Sequence, residues 1–200
     1  MTKIIFYSGV FQMPRYSSTI LKSVIESVRT SRCPEGMSTR IIAVDGGGGA
    51  GKTTLASELS DLLCCEIIHT DDFATQDCPI EWFEKLLESV LVPLSQNLVA
   101  SFRKYDWMKK TYGELIEIKP QPFLILEGVS SSRREFRRYL AYKIYVETDS
   151  GLRLSRGLQR DGPESIEFWK GWMREEDRHF RDHDPKGNAD LVVSGVSDEN

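Results

Sequence analysis

The run Asp45-Gly46-Gly47-Gly48-Gly49-Ala50-Gly51-Lys52-Thr53-Thr54 constrains this chain more than any other stretch. Gly46 and Gly51 frame four residues, and Lys52 and Thr53 follow, the spacing of a phosphate-binding glycine loop. Ile41, Ile42, Ala43 and Val44 come just before it, an apolar run that predicts a buried parallel strand. Leu55, Leu59, Leu62 and Leu63 come after it at helical spacing, which predicts a helix. In that order the parts capture anions: glycines let successive backbone N–H groups turn inward, and the helix N-terminus adds positive potential. Gly46, Gly47, Gly48, Gly49, Ala50, Gly51, Lys52, Thr53 and Thr54 are therefore the expected nucleotide-binding residues. Lys52 is expected to neutralise the terminal phosphates, and the Thr53 hydroxyl to coordinate Mg²⁺. An incidental glycine-rich turn is the alternative, and the correct flanks on both sides argue against it.

With 200 residues the chain suits one domain with a real core. Its net charge of −4 supplies no bulk basic field, so no nucleic-acid partner is expected. Cys33, Cys64, Cys65 and Cys78 show no metal-type spacing, and a reduced, cytoplasmic setting is expected. No apolar run reaches bilayer length and no cleavable leader is evident, so no membrane association is expected.

Along the chain, Ile4-Ile5-Phe6-Tyr7 fits either an edge strand or a tail. Ile20, Leu21, Val24, Ile25 and Val28 predict an amphipathic helix ending near Thr30. Residues 1–38 are thus expected to form a helical extension packed on a domain over 39–200. The same stripe fits an interface as readily as packing, so a homo-oligomer is one expectation. Glu66-Ile67-Ile68-His69 predicts a short strand, and Trp82 to Leu91 a helix stopped near Pro93. The polar segment through Arg103-Lys104-Tyr105-Asp106-Trp107 reads as irregular. Phe123 to Leu126, Ile144 to Val146 and Leu191 to Val193 predict strands, with helices over roughly 150–161 and 164–180 between the last two. Strands alternating with helices give an α/β architecture with a mainly parallel sheet. Ligands in such sheets lie at the carboxyl ends of the strands, which places the glycine loop, Asp71, Asp72 and Glu127 on one rim.

That rim suits transfer of a phosphoryl group. A carboxylate beside Mg²⁺ keeps its charge easily, so Asp71, Asp72 and Glu127 can hold the metal through water. One of the Asp71–Asp72 pair can accept the proton of an attacking hydroxyl. A helix cap with a solvated neighbour is the plain alternative for that pair. Arg153, Arg156 and Arg160 share one helical face and fit either a lid closing over phosphates or a solvated basic surface. Arg133, Arg134, Arg137 and Arg138 read as surface. His179 and His183 stand at i, i+4, a zinc-type spacing without a third ligand, so capping or packing is expected. Trp169, Trp172 and Met173 stand at core spacing. Tyr105, Asp106 and Trp107 fit an acceptor pocket or plain structure equally well.

Taken together, D-G-G-G-G-A-G-K-T-T-L-A, H-T-D-D-F, R-K-Y-D-W, L-E-G-V-S-S, R-L-S-R-G-L-Q-R-D, W-M-R-E-E-D and A-D-L-V-V-S-G resemble the uridine kinase family of P-loop phosphotransferases. They run in family order from about residue 40 to 195. The resemblance implies a three-layer P-loop NTPase fold, a parallel sheet flanked by helices with a helical lid. It implies transfer from ATP or GTP, with Mg²⁺, to a small acceptor, typically the 5′-OH of a pyrimidine nucleoside. By position in the family motifs, Asp71 is similar to the general base, Thr53 and Glu127 to magnesium-shell residues, and Lys52 to the phosphate clamp. Asp71 also stands within reach of the metal. Arg153, Arg156 and Arg160 are similar to lid arginines, and Tyr105 to a tyrosine of the acceptor pocket; Asp72 is also expected to bind substrate. Two departures bear on the acceptor: Ala74 stands where the family commonly has an aromatic, and the family's histidine-bearing segment has no clean counterpart between Thr75 and Trp82. Other small alcohols or a nucleoside monophosphate, served by Arg103 and Lys104, stay open as acceptors. A nucleotide-binding regulatory module is the reading from another class, though no N-K-x-D guanine-reading motif is present.

Overall fold

The computed structural model describes residues 16–74, 82–106 and 109–196. Among the described residues, five parallel strands form the central sheet: β1 (Arg40–Asp45), β2 (Ile67–His69), β5 (Phe123–Glu127), β6 (Leu140–Glu147) and β7 (Leu191–Ser194). Their order is β2-β5-β1-β6-β7. β1 is central, and Ile41 through Asp45 are fully buried, which is why its sequence is a continuous apolar run rather than an alternation. Alternate residues of that run feed different layers. Ile41 and Ala43 join Leu124 and Leu126 on one face, while Ile42 and Val44 join Ile125, Ile144 and Val146 on the other.

The second face is covered by α1 (Ser18–Thr30) and α2 (Lys52–Leu63), with Val24, Val28, Leu55 and Leu59 buried against it. Ser17 caps α1 by accepting from the Ile20 N–H at 3.3 Å. The first face carries α3 (Phe83–Leu86), a π-helical turn (Leu87–Leu91) and α4 (Val92–Ser95), which bury Leu86, Val90, Leu91 and Leu94. This helical run continues past Pro93 and does not stop there. The π turn just before Pro93 resets the hydrogen-bond ladder, so the ring falls near the start of a new α turn, where its missing N–H is tolerated.

The segment read as irregular is a strand. β3 (Ala100–Asp106) pairs antiparallel with β4 (Thr111–Ile118) in a separate hairpin. A register shift between Arg103 and Tyr105 puts Phe102 and Tyr105 both in the interior, three residues apart. That shift breaks the two-residue alternation by which a strand is recognised. Beyond β6, α5 (Ser150–Asp161) and α6 (Ile166–His183) complete the chain's helical side. Trp169 of α6 packs over Gly157 of α5 and is 3 % exposed.

Arg133 corrects the surface reading of its basic cluster. It is buried, with its guanidinium 3.6 Å from the Phe83 ring centroid and paired with Glu135 at 2.8 Å. Among the described residues, no helix is long and apolar enough to cross a membrane. The Ile4–Tyr7 run and Cys78 lie outside the described residues.

Candidate active site

The glycine loop leaves the carboxyl end of β1 and enters α2. Gly46 adopts φ +145°, and a Cβ there would stand 2.5 Å from the Val146 carbonyl oxygen, so only glycine lets the chain pass this close to β6. Gly51 is the N-cap of α2 and no side chain caps that helix. Its first-turn amides are therefore left for an anion, and the macrodipole favours one there. Lys52 is buried, and its Nζ donates to the Gly47 carbonyl at 2.9 Å. The loop that follows β5 is tied to this one by Asp45. That fully buried carboxylate accepts from the amides of Gly46 (2.7 Å), Ser130 (3.1 Å) and Ser132 (2.8 Å), and from the Ser132 hydroxyl (2.7 Å). Burial pushes the Asp45 carboxyl above its ordinary range, although those donors and Lys52 pull the other way.

Asp71, His69 and Glu127 meet the loop at the ends of β2 and β5. Glu127 Oε1 accepts from the Thr53 hydroxyl at 3.3 Å, and its Oε2 lies 2.6 Å from His69 Nδ1. Burial works to raise Glu127, but His69, Lys52 and Thr53 outweigh it and hold the carboxyl below its ordinary value. His69 is correspondingly raised, first by its hydrogen bond to Glu127. Asp71 is exposed and lies among the charges of Lys52, Glu127, His69 and Asp72. Loss of surrounding water raises its pKa and Lys52 opposes that rise.

Thr53, Asp71 and Glu127 are oxygen donors suited to a hard cation. Among the described residues no cluster of three or more His, Cys, Asp or Glu side chains makes a self-contained metal site. Thr53 and Glu127, with Asp71 close by, could hold Mg²⁺ together with phosphate oxygens, a common mode for this ion.

The β3–β4 hairpin comes up to the same rim. Lys104 of β3 pairs with Asp72 at 2.7 Å. Tyr105 is buried, edge-on to Tyr112 at 5.6 Å, and Tyr112 accepts a hydrogen bond from Lys85 at 2.8 Å. Asp106 pairs with Lys109 at 3.3 Å. Trp107 lies outside the described residues.

The three arginines of α5 do different things. Arg153 is buried and pairs with Glu176 at 2.7 Å, and Arg156 donates to the carbonyls of Gly49 (3.1 Å) and Gly195 (3.0 Å). Arg160 pairs with Asp161 at 2.7 Å, and its charge is also felt by Asp71. Two of the three thus brace the glycine loop, while Arg160 is held by Asp161 over the Trp169 ring.

His179 and His183 stack at 4.4 Å in the last turns of α6, and His183 Nδ1 accepts from the Arg134 amide at 3.2 Å. That is a packing arrangement. His69, Asp45 and Glu176 are members of the site that sequence reasoning left without a role. His69 was visible in H-T-D-D-F, but Glu176 sits 128 residues from the glycine it binds.

No family model matches the chain. A uridine kinase from Staphylococcus aureus (strain JH9) is 30% identical over 145 residues, covering 63% of this chain and 70% of that protein. A uridine kinase from Borrelia duttonii is 29% identical over 138 residues, covering 61% and 67%. The chain thus spans about two thirds of the length of these curated relatives. Among solved structures, that of a possible uridine kinase from Bacillus stearothermophilus superposes with a TM-score of 0.65 at 19% identity, over 86% of this chain and 96% of that one. The five-stranded parallel sheet, the glycine loop and these relatives agree: the chain belongs to the uridine kinase family of P-loop phosphotransferases.

Proposed function

We propose that this chain transfers the γ-phosphoryl group of ATP or GTP to a hydroxyl of a nucleoside, the 5′-OH of uridine or cytidine by analogy with its relatives. The observation that carries the reading is the convergence of Lys52, Thr53, Asp71 and Glu127 at the carboxyl ends of three adjacent strands. Asp71 accepts the acceptor's hydroxyl proton as its oxygen forms a bond to the γ-phosphorus. The bond from that phosphorus to the β,γ-bridging oxygen breaks, and the nucleoside diphosphate leaves. Lys52 exchanges the Gly47 carbonyl for phosphate oxygens and balances their charge. Mg²⁺, when bound at Thr53 and Glu127, supplies further neutralisation of the phosphate oxygens. Arg160, whose charge interacts with that of Asp71, stabilises charge on the moving group, while Arg153 and Arg156 hold the loop in shape.

Acceptor-side roles follow for Asp72, Tyr105 and Asp106 on the rim formed with β3. Lys104, half-exposed beside Asp72, also supports a second acceptor class bearing its own phosphate. A panel of nucleosides, nucleoside monophosphates and simple alcohols, assayed for ADP or GDP release, separates the two. Release stimulated by uridine or cytidine supports the first reading. Stimulation by monophosphates alone supports the second, and no stimulation by any acceptor refutes both.

A further inference from the structure

The Gly47–Gly48 peptide unit is gripped from both sides. Its carbonyl accepts from Lys52 Nζ at 2.9 Å, and its N–H donates to Glu176 Oε1 at 2.7 Å. In a trans peptide these two groups point in opposite directions, so Lys52 and Glu176 hold opposite edges of one plane. Glu176 lies on α6, is 2 % exposed, and gives its other oxygen to Arg153 Nη1 at 2.7 Å. Arg153 is wedged under the loop: a Cβ on Gly47 would stand 1.8 Å from its Nη1. A Cβ on Gly48 would stand 3.0 Å from the Trp169 ring and 3.1 Å from Glu176 Oε1. The carboxylate is therefore built against this one peptide.

Burying a carboxylate so completely gains little stability even when it is paired. Its fixed direction is what it contributes. A peptide between two glycines turns over easily, because neither residue has a Cβ to confine φ and ψ. Before a nucleotide binds, two charged side chains oppose that turn. When Lys52 moves to phosphate, the Ala50 N–H, which donates to the Gly47 carbonyl at 3.1 Å, still holds one edge, and Glu176 is the charged group left to oppose the turn. A turned peptide would aim the Gly47 carbonyl elsewhere and change the shape of the anion-binding loop.

We propose that Glu176 is a positioning residue for the donor nucleotide, locking the Gly47–Gly48 peptide so that the loop keeps its shape after Lys52 leaves the Gly47 carbonyl. The inference rests on the reading of Lys52 as the phosphate clamp. Its consequence is specific to the donor side. The groups proposed for the acceptor, Asp72 after β2 and Tyr105 on β3, lie on other elements, whereas Glu176 is bonded to Gly48 and Arg153.

Glu176→Gln tests it. The Arg153 guanidinium draws the amide oxygen to itself, which leaves an NH₂ facing the Gly48 N–H, two donors in opposition. Titration with Mg·ATP and Mg·ADP is expected to show donor Kd raised about tenfold or more. The KM of whichever acceptor the panel identifies should stay within about twofold. Glu176→Asp keeps the charge but lacks the reach to hold both partners, and a smaller rise in donor Kd is expected. It carries the test if the glutamine variant does not fold by circular dichroism. Donor affinity within twofold of native in a folded variant overturns the proposal. So does tighter donor binding, which would make Glu176 a competitor of phosphate, or equal loss on both substrates with a lowered Tm, which would make its role purely structural. A native chain that binds no nucleotide refutes the kinase reading itself, a result that needs no variant to recognise.

Discussion

His69 Nδ1 lies 2.6 Å from one oxygen of Glu127, whose other oxygen accepts from the Thr53 hydroxyl at 3.3 Å. Three elements meet in this chain of contacts: β2 through His69, β5 through Glu127 and the first turn of α2 through Thr53. β5 lies between β1 and β2, so the register of the sheet places these groups together at its carboxyl edge. The site is a property of strand order, and its electrostatics follow from that order.

Lys52→Ala removes the cation that holds the Gly47 carbonyl and is placed to take up the phosphates. Phosphoryl transfer should fall by at least about 10²-fold. Donor binding by titration should weaken in parallel, and native-like circular dichroism would show that the fold is retained.

Gly157→Ala sets two effects of opposite sign against each other. In an exposed helix interior the change would stabilise by about 1 kcal/mol. Here the new Cβ would stand 2.3 Å from the Trp169 ring, inside the α5–α6 contact. Overpacking of that kind costs about 1–3 kcal/mol, so urea unfolding should show net destabilisation. A stabilised variant would mean that the ring moves aside freely.

His179 governs a pH dependence of stability. Burial, helped by the charges of His183 and Arg133, lowers its pKa from 6.5 to about 4. Among the described residues its buried Nε2 has no hydrogen-bond partner. The folded state therefore resists a proton that the unfolded state accepts, and unfolding is favoured as pH falls from 6.5 toward 4. Allowing for partial exposure, the loss across that window is on the order of 2 kcal/mol. His179→Gln should flatten the fall of the urea midpoint over the same window. An unchanged pH slope would assign it to other groups.

The parts of the site set by local chemistry were legible in the sequence. Gly46 to Thr54 needs no tertiary context, and the apolar runs at Ile41 and Phe123 announce strands buried on both faces. What stayed hidden depends on long-range register. The β3 strand was obscured because the shift at Arg103–Tyr105 puts Phe102 and Tyr105 on the same side, against simple alternation. Glu176 falls in an Arg-Glu-Glu-Asp run that reads as a solvated helical face. Only the docking of α6 on the glycine loop selects it from its neighbours. The division among Arg153, Arg156 and Arg160 was hidden for the same reason: their spacing puts them on one face, but their distances to Glu176, Gly49 and Asp161 come from packing.

The central claim is that Asp71 removes the acceptor proton beside a nucleotide held at Lys52. The most direct test compares native chain and Asp71→Asn for Mg·ATP affinity and for acceptor-dependent ADP release in the same preparation. Loss of a general base costs about 10²–10⁴-fold in turnover, so release should fall by that factor while donor Kd changes by less than about threefold. Asp71 is raised above the ordinary carboxylate value, so native turnover should also fall on acidification at a higher pH than an unperturbed carboxylate would give. Native-like turnover by Asp71→Asn, with the nucleotide bound as before, would contradict the account.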